Sequence, residues 1–237
     1  MLDVHPPHHP THSWRDFFIH IATICVGLLI AVGLEQTVEA IHRQRERIEL
    51  RHTLHDESLQ IVKDCAQTKV VLANRDQWIS ARIDQLQAAL GTHKPLAPAR
   101  PRPAGPTVLP RPDDPIWRAA KTGGLAPRLT PEEIGAYSEV ELNAEKVDIA
   151  YDRLVVIHAD RTAFEREFPG ANPDPDLSQA SPADLRQYLH ILTQEQVAVY
   201  YVDRMVAGLS GAEAIILKGS YDAREIRNSE QNLQSMK

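Results

Sequence analysis

Eighteen consecutive residues, Phe17 to Leu34 (FFIHIATICVGLLIAVGL), contain no Asp, Glu, Lys or Arg. As a helix rising about 1.5 Å per residue the run is ~27 Å long, close to the hydrocarbon thickness of a bilayer. A helix also pairs its own backbone groups, which lipid requires. A cleaved secretory leader would have a basic n-region and an apolar stretch of about 7–15 residues. This run is longer and only one Arg precedes it, although Ala31-Val32-Gly33 has the small-x-small form of a cleavage site. A buried core helix normally keeps a polar face, and this run has none. The sequence therefore predicts a transmembrane helix over 17–34, behind a His/Pro-rich tail at 1–16.

Ser13 with Asp16 three residues later has the form of a capping box, so the helix should start there. Trp14 and Arg15 then fall at headgroup level as an aromatic and a cationic interfacial anchor. Within the span, Thr23, Gly27 and Ala31 recur every four residues and share one face, where small side chains let two membrane helices approach closely. His20 lies near the end of the span, within reach of interfacial water, and no deeper ionisable residue accompanies it.

The tail before the span has one Arg, whereas Arg43, Arg45, Arg47 and Arg51 follow it. Counted as positive-inside, this favours the cytoplasm for the larger C-terminal part. A short tail with little charge also stays inside easily, and a long domain can translocate regardless of nearby charge, which leaves the opposite side open. Free Cys65 agrees with a reducing compartment, and with Cys25 inside the apolar run no disulfide framework is available. The net charge of the 237 residues is -6, which excludes a globally basic nucleic-acid binder. The partners to expect are the lipid bilayer, a second copy of the chain, or other membrane proteins.

No Gly or Pro interrupts residues 35–90. The first part, to about His55, is polar with charges of alternating sign, as in a solvated helical stalk. From Val62 the apolar positions Cys65, Leu72, Ile79, Ile83, Leu86 and Leu90 follow spacings of three and four, with Lys69 and Asp76 as interruptions, and describe an amphipathic helix with a near-heptad repeat. Gly91 is its expected cap. Residues 91–115 hold eight of the 17 prolines; that density excludes a helix and makes a semi-rigid linker. A short helix around Trp117 should end at Gly123-Gly124, with the indole buried against the long helices. Thr130-Pro131-Glu132-Glu133 and Ser181-Pro182-Ala183-Asp184 both read as helix starts, with the cap, a Pro at the first position and acid in the first turn. The first of these helices carries the stripe Tyr137, Val140, Ala144, Val147, Tyr151, Leu154, His158 and runs to about Phe168. The second carries Leu185, Tyr188, Leu192, Val199, Val202, Val206, Leu209, with Gly208 and Gly211 as bending points.

The expected fold is all-α: a transmembrane helix continuing into a stalk, then an antiparallel helical bundle with a Pro-rich connector, in which residues 116–237 pack on residues 55–90. No glycine-rich phosphate loop, GxSxG, HExxH or CxxC is present, so no enzymatic activity and no cofactor are expected. Glu49-x-x-His52 with His55 and Asp56 lacks the second ExxH that a diiron bundle needs, and reads as a solvated charged face. His5, His8, His9 and His12 could chelate a metal only loosely on so flexible a tail. His158 lies on the apolar stripe as a hydrogen-bonded core histidine.

The segment WRDFFIHIATICVGLLIAVGLEQ (Trp14–Gln36), with the later Trp117–Leu125 stretch of small residues and Gly-Leu, resembles a group of bacterial single-pass inner-membrane proteins with an N-terminal anchor and a helical soluble domain. The resemblance implies membrane topology and helical fold, and it carries over no catalytic or ligand residues. The expected function is a membrane-anchored helical scaffold or protein-interaction module. The alternative is a small-ligand sensor bundle whose pocket would be lined by Trp117, Tyr188, Tyr200 and Tyr201 and coupled to the stalk.

Overall fold

The computed structural model describes residues 14–92, 96, 111–170 and 174–229. The His tail, Ser13 of the expected capping box and most of the Pro-rich connector lie outside them. The described elements are α1 (Trp14–Thr92), α2 (Pro115–Thr122), a 3-10 turn (Ala126–Arg128), α3 (Pro131–Arg166), α4 (Pro182–Leu217) and α5 (Ala223–Arg227). All are helical, as the 3.6-residue periodicities require. The chain divides into two compact units at Glu49/Leu50, both drawing on α1.

In the first unit, the side chains of Trp14–Leu34 are exposed throughout. Arg43 donates to Glu39 at 3.0 Å and His42 lies 3.0 Å from Glu46, the i,i+4 pairs that alternating charges favour on a solvated helix.

In the second unit, α1 contributes Leu50, Leu54, Ile61, Cys65, Leu72, Ile79, Ile83 and Leu86 to the core. Packing thus begins at Leu50, five residues before the expected position. The stripe also passes through Ser58, Thr68 and Arg82 instead of Lys69 and Asp76, which face outward or lie at the rim. The α3 stripe is buried from Tyr137 to Leu154, and α4 buries Tyr188, Leu192, Val199, Val202, Val206 and Leu209. Neither Gly208 nor Gly211 interrupts α4.

Both proline-marked starts are capping boxes. The Glu133 amide donates to Thr130 Oγ1 (3.3 Å) while the Thr130 amide donates to Glu133 Oε2 (2.7 Å), and Ser181 with Asp184 repeats the exchange at 3.2 and 2.8 Å. Gly124, at φ +71°, takes the left-handed conformation just after α2, where a side chain would be strained. Short α5 is held by fully buried Ile226.

Cross-helix pairs give the directions. Arg51 meets Glu133 and Arg75 meets His158, so α1 and α3 run parallel. Arg75 also meets Glu195, and Arg161 pairs with Glu195 while Glu165 accepts from Tyr188, so α4 is antiparallel to both. α2 accordingly starts beside the N-terminal part of the packed stretch of α1. There the Ile116 amide donates to Glu57 at 2.7 Å.

Candidate functional site

Two parts of the chain stand out, the apolar start of α1 up to Leu34 and the polar groups inside the bundle. The first carries the residues singled out by the sequence. A window of mean hydropathy 2.5 lies in α1, none of it buried, so α1 is long and apolar enough to cross a membrane. Trp14 is 73% exposed and packs in edge geometry on Phe18 (centroids 4.6 Å), with Phe17 at 5.9 Å. This aromatic knot with Arg15 marks the start of the apolar run. Thr23, Gly27 and Ala31 all lie on the exposed surface of α1. A methyl placed on Gly27 would meet nothing within 4 Å. The Thr23 hydroxyl donates to the Ile19 carbonyl at 2.8 Å. That face is open, and its one hydroxyl is already engaged along the helix.

Inside the second unit, the most concentrated polar chemistry is a knot of ions that joins α1, α3 and α4. Glu195 is fully buried and sits on the α4 stripe between Leu192 and Val199. Its Oε1 accepts from Arg75 Nε at 2.9 Å and Nη2 at 2.5 Å, and its Oε2 lies 2.6 Å from Arg161 Nε. Arg161, 2% exposed, also donates to Glu165 (3.1 Å), which accepts from the Tyr188 hydroxyl at 2.7 Å. The guanidinium of Arg161 lies over the Trp78 ring, 5.3 Å from its centroid. His158 Nδ1 faces Arg75 at 2.6 Å and Arg161 at 2.8 Å. Since guanidinium nitrogens only donate, Nδ1 accepts and the ring proton is on Nε2.

Burial by itself would push the Glu195 carboxyl up. The charges of Arg161 and Arg75, with the hydrogen bonds that Arg75 donates, outweigh it and hold the group at about 2. A carboxylate enclosed on both oxygens by arginines, and so weakly basic, has no free face for a proton or substrate. The knot sets the register of three helices and provides no general base.

His158 is half-buried at the rim of this knot, hydrogen-bonded as expected but among ions. His52, His55 and Asp56 are exposed, with His52 3.1 Å from Asp56. Among the described residues no group of three or more His, Cys, Asp or Glu is arranged to hold a metal ion. The aromatic residues expected to share a pocket do not come together. Trp117 stacks on Tyr137 and Tyr188 on Phe164, both buried, while Tyr200 and Tyr201 are half or more exposed.

The ionic knot escapes a reading of apolar stripes, because its members are charged residues lying on those stripes. The signal in the sequence is the gap at 195 between Leu192 and Val199, together with Arg161 one turn beyond His158. No family model, curated protein or solved structure matches the chain.

Proposed function

We propose that the chain is a single-pass membrane protein whose helical second unit binds other proteins or a second copy of itself and carries out no enzymatic reaction. The observation that supports this is the apolar first part of α1, with an 18-residue stretch whose side chains are all exposed. So large an apolar surface is unfavourable in water and is matched by lipid. The positive charges after residue 42 support a cytoplasmic second unit, and the resemblance of the anchor supports a bacterial inner membrane. Crosslinking in native membranes tests the reading. The expected result is a crosslinked homodimer or a reproducible protein partner, and monomer with no co-purifying protein would contradict it.

Self-association through the span gives a sharper expectation. Close approach at Thr23, Gly27 and Ala31 gains dispersion contacts worth around 1 kcal/mol each. Gly27 faces open space, so Gly27→Ile leaves its own helix undisturbed and pushes a partner away. An in-membrane dimerisation reporter should show a clear but partial loss of signal for Gly27→Ile and little change for Leu28→Ile. Equal signals for both variants and the wild type would remove the small-residue face from the account.

A further inference from the structure

The docking of α2 on the bundle depends on carboxylates that the proposed function does not use. The free amides at the start of α2 are not capped by Asp114, the residue in the cap position. They are capped from α1, where Glu57 accepts from the Ile116 amide at 2.7 Å and the Trp117 amide at 3.3 Å. Asp114 is turned inward instead and is 4% exposed. Its Oδ1 lies 3.2 Å from Arg118 Nε, while Oδ2 is buried with no hydrogen-bond partner among the described residues. Glu213 of α4 is 2% exposed, and its Oε2 is likewise without a partner among them. Two of these carboxylates thus sit at the start of α2, and Glu213, hydrogen-bonded to Ser58 next to Glu57, lies within electrostatic reach of both; Asp114 and Glu213 each keep one oxygen sealed from water.

We propose that Glu57, Asp114 and Glu213 form a proton-operated latch, closed with α2 seated on the bundle while Glu213 and Asp114 carry protons, and loosened when all three are ionised.

The surroundings favour the protonated form. Around Glu213 lie Glu57, Ser58 and Cys65 from α1, Asp114 from the α2 cap and Tyr137 from α3. Asp113 and Glu141 add negative charge near Asp114, and the cations there are Arg118, paired with Asp113 and Asp114, and Lys121, paired with Glu141. Burial pushes the Glu213 carboxyl up to about 7; the Ser58 hydrogen bond opposes this and the Glu57 and Asp114 charges add to it. Burial pushes Asp114 to about 6, against the pull of Arg118. Glu57 is raised by burial too, against its two backbone hydrogen bonds. For a carboxyl raised in this way, the closed state is fully favoured below the ordinary carboxylate range. That advantage is lost as pH rises through the raised values, up to about 7 here. The latch therefore weakens between about pH 5 and 7 and stays weak above that interval.

Amide hydrogen exchange of the full-length chain in detergent micelles tests this, with rates normalised for the intrinsic effect of pH. Protection of amides 117–122 should fall about tenfold or more between pH 5.5 and 8.5, because loss of one linked proton weakens the seating of α2 by about tenfold per pH step of one. A peptide from the middle of α3, residues 140–151, should hold its protection. Glu213→Gln keeps a partner for Ser58 but cannot ionise, and should retain most of the α2 protection at pH 8.5. Asp114→Asn, which removes the second titrating group, should retain part of it. Equal α2 protection at both pH values, loss of α3 protection in step with α2, or a Glu213→Gln profile that follows the wild type would each overturn the latch.

Discussion

Replacing Glu195 with Gln should lower the stability of the helical unit by about 3–5 kcal/mol, because it leaves Arg161 and Arg75 without the carboxylate that compensates them. Arg161 is almost completely buried, so water cannot take over the lost interaction. The geometry makes the loss specific. Gln has the shape of Glu and can still accept from one arginine, but it places an amide NH2 against a guanidinium that can only donate. Urea unfolding of residues 35–237 followed by circular dichroism would measure the change. With Glu195 gone Arg161 keeps only Glu165 as a counter-charge, so Arg161→Met should cost clearly less in the Glu195→Gln background than in the wild type. Additive effects would show that the two side chains do not act as a pair. The acid limb carries the same information. The carboxyl sits at about 2, below its ordinary value of 4.5, so its contribution is complete above pH 4.5 and is lost as pH falls towards 2. The gap between wild type and Glu195→Gln should narrow over that interval.

Trp117→Ala should have an effect of similar size, about 3–5 kcal/mol, through loss of packing. The indole is 1% exposed, stacks on Tyr137 with ring centroids 5.5 Å apart, and donates through Nε1 to Glu141 at 3.2 Å. Its removal leaves a cavity under α2 and takes away the largest apolar group of an eight-residue helix. Helices of that length have little stability of their own, so α2 is held by this anchor together with the Glu57 cap. Trp117→Phe should recover more than half of the loss. An alanine variant within 1 kcal/mol of the wild type, by the same urea measurement, would show that α2 does not depend on its indole.

These two residues mark what the sequence does and does not disclose. Trp117 is legible, because a lone indole in a short segment between prolines and glycines has little reason to be there except burial. The helix starts at Thr130 and Ser181 are legible for the same local reason, since Pro fits only the first turn and the acid three residues on completes the box. Glu195 is not. Its significance lies in Arg75 and Arg161, 120 and 34 residues away in the chain, and nothing local shows that three helices bring them within 3 Å. The parallel course of α1 and α3 is hidden likewise. Proline density announces the end of α1, but it does not say at which end of the bundle α2 starts. Glu213 and Asp114 look like ordinary surface acids until the tertiary fold buries them.

Membrane anchoring is the central claim, and flotation after alkaline carbonate extraction tests it most directly. The full-length chain, expressed in bacterial cells, should remain with the floated membranes and keep its complete mass, with the N-terminal segment still attached. A chain lacking residues 1–34 should stay in the soluble fraction and give the circular dichroism of a mostly helical protein, because the stripes of α1, α3 and α4 cover one another without lipid. Release of the full-length chain by carbonate, or a mature protein shortened near Ala31-Val32-Gly33, would contradict a membrane-anchored module.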